Sequence, residues 1–228
     1  EGWKFNTPEE SWDLLKVFYP RSVLNAIYRH PCPNEPQGYY TGTPYGTVDI
    51  VPAEADDDIL ESYKILSFLG WNTAEDWQVE KLVKFASKGG TLLLGLPHLI
   101  KNSKRSEALG NNPDFLNSPD VEKLIGAKVN GCEDAVIKDG EKVRVGNLQL
   151  NGAKVINEST EGLPIVIENT IGSGKVIFVN VNEYPAGKNV RKLYEGLLED
   201  LGEGVCELEK YKGWLSCSQD VNFTVYDR

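Results

Sequence analysis

The clearest pattern along the chain is a pair of apolar runs separated by a stretch with helical spacing. Tyr63-Lys64-Ile65-Leu66-Ser67-Phe68-Leu69-Gly70 and Thr91-Leu92-Leu93-Leu94-Gly95 read as buried strands, each closed by Gly. Between them Trp77, Val79, Leu82, Val83, Phe85 and Ala86 recur at helical spacing. Thr73 is the expected N-cap, with Asp76 three residues later, and Lys88-Gly89-Gly90 supplies the basic charge and flexible glycine that stop a helix. Strand, helix, strand in so short a span predicts a parallel βαβ unit with a right-handed crossover.

The flanks carry weaker signals. Thr7, Pro8 and Glu10 make a plausible helix start, Trp12, Leu15 and Tyr19 share one face, and Pro20 ends the helix. Residues 29–47 hold too many prolines and glycines for a regular element, and predict a long loop bearing Tyr39, Tyr40 and Tyr45. Val48-Asp49-Ile50-Val51-Pro52 reads as a short strand, and Glu54 to Asp58 as a solvated acidic segment. Residues 101–119 read as a polar loop, and Asp120 to Ile125 as a short helix closed by Gly126. Short strands are expected at 143–145, 148–150, 154–156 and 164–168, then a hairpin around Ile171-Gly172-Ser173-Gly174-Lys175 that returns through Val176 to Val181. Asn189 to Leu201 predicts a last amphipathic helix, ended by Gly202. Beyond it, Leu215 and Val221 to Tyr226 are β-like. The expected organisation is therefore 1–47 as a lead-in helix and loop, 48–202 as an α/β domain, and 203–228 as a linker or the start of a β-rich domain.

Composition narrows the functions. The charge is −10 and the pI about 4.8, which opposes nucleic-acid phosphates and anionic membranes as partners. No apolar run approaches the roughly 20 residues of a membrane span. The expectation is a soluble chain, cytoplasmic or secreted. It contains no Met and starts Glu1-Gly2-Trp3 without a signal-peptide pattern, so upstream sequence is expected to have been removed. The four cysteines, Cys32, Cys132, Cys206 and Cys217, form no CxxC pair, and His30 and His98 are the only histidines. A structural zinc site is disfavoured and no cofactor is expected. Cys206 and Cys217 could pair in an oxidising compartment. The sequons at Asn157 and Asn222 decide nothing alone.

Taken in order, Val48-Asp49-Ile50, Tyr63 to Gly70, Leu82 to Leu94 and Gly172-Ser173-Gly174-Lys175-Val176-Ile177-Phe178-Val179 resemble the class I glutamine-amidotransferase-like fold. The form resembled is the middle, or trimerisation, domain of family 42 β-galactosidases and related multidomain glycoside hydrolases. The resemblance spans about two thirds of the chain. It implies a flavodoxin-like three-layer sandwich with a mostly parallel sheet. It also implies an accessory or oligomerising role, with the other domains or subunits of a parent enzyme as partners. The catalytic members need a Cys on a tight Gly-x-Cys-x-Gly elbow and a later His-Glu pair. Here the corresponding stretch is Gly95-Leu96-Pro97-His98-Leu99, with Pro97 in the nucleophile position and no later histidine. Pro carries no nucleophile and has no N–H to donate. Glutaminase chemistry is therefore disfavoured on chemical grounds.

In an open α/β sheet, ligands sit outside the carboxyl ends of the strands. Those ends carry Trp71, Asn72, His98, Asn182, Glu183 and Tyr184. An aromatic ring, amides, a histidine and a carboxylate could bind a carbohydrate. This gives two rival functions: a stand-alone carbohydrate-active hydrolase using Glu183, His98 or Asp49, and a sugar-binding module built on Trp71. Asp49 with Glu183 could form a glycosidase carboxylate pair, although neither has a distinctive setting. A metal at His98 and Glu183 lacks further ligands. His30 and Cys32 sit in a Pro-rich loop that gives no dyad geometry. Tyr39, Tyr40 and Tyr45 suit an interface or the rim of a neighbouring active site.

Overall fold

The computed structural model describes residues 11, 14–18, 48–70, 72–101, 113–185 and 187–205. Its elements are helix α1 (Leu15–Phe18), α2 (Asp57–Glu61), strand β1 (Ile65–Ser67), α3 (Asp76–Ser87), β2 (Thr91–Gly95), α4 (Pro113–Leu116), α5 (Pro119–Ile125), β3 (Ala127–Val136), β4 (Lys142–Leu150), β5 (Lys154–Glu158), β6 (Pro164–Ile171), β7 (Gly174–Val179) and α6 (Arg191–Val205). They fall into two compact units, the larger holding Val51–Arg191 and the smaller holding α1, residues 48–50 and α6 from Lys192 onward. Within the smaller unit Leu14 and Tyr194 are buried.

The larger unit is built on a five-stranded sheet in the order β1-β2-β7-β6-β5. β1 runs parallel to β2, with Ile65 opposite Thr91, and β2 runs parallel to β7, with Thr91 opposite Lys175. The sheet then reverses: β6 is antiparallel to β7 through a tight turn pairing Ile171 with Gly174, and β5 is antiparallel to β6. The expectation of a mostly parallel sheet is corrected to a mixed one, half its pairings antiparallel. The reason is the short connections, since two parallel neighbours need a crossover of a dozen residues or so and the Gly172-Ser173 turn cannot supply one. β3 and β4 form a separate antiparallel hairpin, longer and more continuous than the short strands expected there.

Helices α3 and α5 pack on one face of the sheet. Val79, Leu82, Val83, Ala86, Val121, Leu124 and Ile125 share a core with Leu66, Leu92, Leu94, Ile167, Val176 and Phe178. On the other face Leu93, Val166, Ile177 and Val179 are buried as well. Burial on both faces explains why β2 and β7 are apolar runs rather than alternating ones.

Local chemistry sets the boundaries. The N-cap of α3 is Glu75, not Thr73: the Glu75 N–H donates to Gln78 Oε1 at 3.2 Å, and the Gln78 N–H donates to the Glu75 carbonyl at 3.0 Å. Gln78 is the residue in reach because the cap pairs with the third helical position, which from Thr73 would be Asp76. Trp77, expected on the buried face, is 45% exposed, with the Lys81 ammonium over its ring at 5.4 Å. α5 ends as expected at Gly126, whose φ of 68° is the left-handed conformation that glycine adopts without penalty. Asn169 donates its amide to the Lys123 and Leu124 carbonyls there, so those helix-end acceptors are satisfied by a residue 46 and 45 positions away. Gly174 allows a close approach: a Cβ would lie 2.3 Å from the carbonyl oxygens of Ala86 and Gly90.

Three further expectations are corrected. Residues 48–52 form no strand, and Ile50 there is 71% exposed, so its apolar pattern finds no ladder among the described residues. The polar stretch after Lys101 contains the short helix α4, and residues 102–112 lie outside the described residues. Gly202 does not end the last helix; α6 runs through it to Val205, because one helix-interior glycine costs only about 1 kcal/mol. The helix start at Thr7, the 29–47 loop and the β-like segments after 205 lie outside the described residues.

Candidate functional site

After β2 the chain turns through a short 3-10 helix, Leu96–Leu99, with Pro97 in its first turn. This is the stretch that the resemblance sets against a catalytic elbow, and all four of its residues are buried. The turn brings His98 back beneath its own strand. The Gly95 N–H donates to His98 Nδ1 at 2.8 Å, and Asn72 donates its amide to the His98 carbonyl at 2.8 Å. The Ala74 N–H reaches the Ile100 carbonyl at 2.8 Å, tying the segment after β1 to the segment after β2. The His98 ring sits between two aromatics, Phe68 at 5.8 Å and Tyr184 edge-on at 5.9 Å between centroids.

His98 is 1% exposed. Burial pushes its pKa down to about 3, because desolvation penalises the imidazolium, and the neighbouring backbone offsets this only in part. A neutral imidazole has one lone pair. Here that lone pair, on Nδ1, is taken by the Gly95 N–H, so Nε2 carries the hydrogen. The Gly70 backbone lies near the ring and favours its protonated form, but among the described residues Nε2 meets no partner at hydrogen-bond geometry. In this arrangement His98 can neither accept a proton nor ligate a metal without first breaking its bond to Gly95.

The third strand end comes from β7. Asn180 follows it, fully buried, and bonds to the β3–β4 hairpin and to the sheet: its amide donates to the Gly146 carbonyl at 2.7 Å and the Pro164 carbonyl at 2.8 Å, while its oxygen accepts the Gly146 N–H at 3.0 Å. The Asn182 N–H donates to the Arg144 carbonyl at 2.8 Å, and Val181 bridges to Val145. Glu183 is 9% exposed, and the Asn189 amide approaches its Oε1 at 3.4 Å. Tyr184 is 3% exposed and its carbonyl accepts the Gly187 N–H at 2.8 Å, closing a tight turn.

The structure therefore brings together Asn72, His98 and Tyr184, with Phe68 as a member the sequence reading did not single out. Asn182 and Glu183 occupy the same strand end, buried. Asp49 is exposed and belongs to the smaller unit. Trp71, Tyr39, Tyr40 and Tyr45 lie outside the described residues, as do His30, Cys32, Cys206 and Cys217. Asn180 was missed too. Its only signal was an Asn directly after a fully apolar strand, where a buried amide needs several partners.

At the opposite ends of the strands, an open groove of about 470 Å³ is lined by residues that include Glu122, Lys123, Asn151, Asn169 and Thr170. It has no aromatic wall for a sugar ring. Among the described residues no group of three His, Cys, Asp or Glu could hold a metal ion. Among them also, no helix is long and apolar enough to cross a membrane.

No family model matches the sequence, and no curated protein matches it. Solved structures do match in fold. The β-galactosidase of the Antarctic haloarchaeon Halorubrum lacusprofundi aligns over 87% of this chain and 26% of its own, at 19% identity and a TM-score of 0.50. The β-galactosidase of Rahnella sp. R3 aligns over 70% of this chain and 25% of its own, at 14% identity and a TM-score of 0.50. Gan42B, a family 42 β-galactosidase, aligns over 68% and 24%, at 18% identity and a TM-score of 0.46. The chain thus spans about a quarter of the length of the β-galactosidases it matches. At these identities the likeness is one of fold, and the fold it shows is that of a region within those larger enzymes.

Proposed function

We propose that this chain is a non-catalytic, amidotransferase-like accessory and oligomerisation module of a multidomain glycoside hydrolase or a related carbohydrate-active enzyme. The observation that carries the reading is the turn after β2. On a fold shared with part of two β-galactosidases, the place for an activated nucleophile holds a buried Pro97, and the neighbouring His98 has its lone pair occupied. Covalent catalysis needs a nucleophile standing free beside a base. This turn supplies neither. Its partners are then the remaining domains or subunits of the parent enzyme, further copies of itself, and carbohydrate only where the parent presents it.

Two assays on the purified chain test this. Turnover of aryl glycosides and of glutamine should equal the blank, while sedimentation should show self-association or binding to the rest of the parent enzyme. Glycoside turnover abolished by Glu183→Gln or Asp49→Asn would replace this reading with the stand-alone hydrolase.

A further inference from the structure

The chain contains two Asn-Gly pairs, Asn130-Gly131 and Asn151-Gly152, and the structure treats them differently. Asn-Gly is the sequence at which a backbone nitrogen most readily attacks the preceding side-chain amide, because glycine has no Cβ in the way. The attack needs an accessible peptide nitrogen and an amide side chain free to swing onto it.

Asn130-Gly131 meets both conditions. Both residues are exposed, and they lie where the β3–β4 ladder slips. Val129 pairs with Leu148 and Cys132 with Gly146, so Asn130 and Gly131 together face Asn147 in a β-bulge, outside the regular register. Gly131 adopts φ of 101°, and a Cβ built there would meet nothing within 4 Å, so the space above the bulge is open. On its N-terminal side the strand is clamped, since Asn117 accepts the Val129 N–H at 3.0 Å and donates to the Val129 carbonyl at 3.1 Å.

Asn151-Gly152 meets only one. Gly152 is equally open, with φ of 100°. Its Asn151 side chain, however, is tethered: the amide donates to Glu122 Oε1 at 2.7 Å, and the Asn151 N–H donates to the Gly126 carbonyl at 2.7 Å.

We propose that Asn130 is a site of spontaneous covalent modification, the Gly131 nitrogen closing on the Asn130 side-chain amide, and that Asn151 is protected by its tether to Glu122. The Gly131 nitrogen bonds to Asn130 Cγ and loses its proton, and the amide nitrogen leaves as ammonia. Water then opens the five-membered imide at one of its two carbonyls. Opening at one side gives aspartate, and at the other isoaspartate, whose backbone runs through the former side chain. Either product adds one negative charge, taking the formal charge from −10 to −10 − 1 = −11. The isoaspartate also inserts an extra backbone carbon into β3 directly after the clamped Val129.

The test is peptide mapping of the folded chain during incubation in mildly alkaline buffer. The Asn130 peptide should gain about one dalton and become a substrate for an isoaspartyl carboxyl methyltransferase, several-fold faster than the Asn151 peptide. In denaturant the difference between the two sites should disappear. Glu122→Ala should raise conversion at Asn151 in the folded chain and leave Asn130 unchanged. Equal or faster conversion at Asn151 in the folded wild-type chain would overturn the proposal. So would a folded Asn130 that stays intact while the unfolded chain converts.

Discussion

The parallel part of the sheet and the β3–β4 hairpin were built by different rules. In the parallel part, β1, α3, β2 and β7 are specified locally. Strands β2 and β7 are apolar because both their faces are buried, and Lys88-Gly89-Gly90 stops α3 and leads into β2. The hairpin is instead held by side chains from far along the chain. Asn180 reaches Gly146 across 34 positions, Asn117 binds both backbone groups of Val129, and Glu161 accepts the Val136 N–H at 3.1 Å across 25 positions. What is specified locally can be read from a sequence; what is specified by distant amides cannot.

The largest effect should come from the parallel part. Gly174→Val forces a side chain against the Ala86 and Gly90 carbonyls, at the point where β7 meets the end of α3. A clash with backbone cannot be relieved by a rotamer change, and the expected loss is about 4 kcal/mol or more. Urea unfolding should show it, and a near-wild-type midpoint would refute the close packing described.

Acid should come next. His98 is neutral in the fold with a pKa of about 3 and takes up a proton near 6.5 when unfolded. The native state therefore binds fewer protons between these values. The contribution is fully present above pH 6.5 and is lost as pH falls toward 3, by several kcal/mol. Stability measured across this window should decline, and His98→Phe should flatten the decline. An unchanged slope would assign the acid sensitivity to other groups.

In the hairpin, Asn180→Ala should cost about 3 kcal/mol, because it strands buried backbone groups at Gly146 and Pro164. Hydrogen exchange should rise first in β3 and β4. If β2 and β7 open equally, the hairpin is not separately held. The smallest effect belongs to the surface between α2 and α3, where Lys84 pairs with Asp57 and Lys88 with Glu61. Exposed pairs contribute little, so Lys84→Ala should leave the melting temperature unchanged within error.

The same contrast explains what the sequence revealed of the site. The strand order β1-α3-β2, the Gly172-Ser173 turn and the stop at Gly126 were legible because each has a local chemical cause. The Gly172-Ser173 turn already implied the antiparallel return from β6 to β7; the further antiparallel pairing of β5 with β6, which makes the sheet mixed, was not legible. At the site, the strand-end position of Asn72, His98 and Tyr184 followed from the fold. The locked state of His98 did not, since it depends on the 3-10 turn that aims the ring at its own Gly95 N–H. Polar residue types suggested a binding surface; in the fold Asn72 is tied to the His98 carbonyl, and His98, Asn182, Glu183 and Tyr184 are buried.

The most direct test of the account is the intact mass of the native polypeptide isolated from its source. The module reading predicts a mass well above 25.3 kDa, with glycosidase chemistry lying outside this segment. A native polypeptide of 25.3 kDa that turns over glycosides by itself would contradict it.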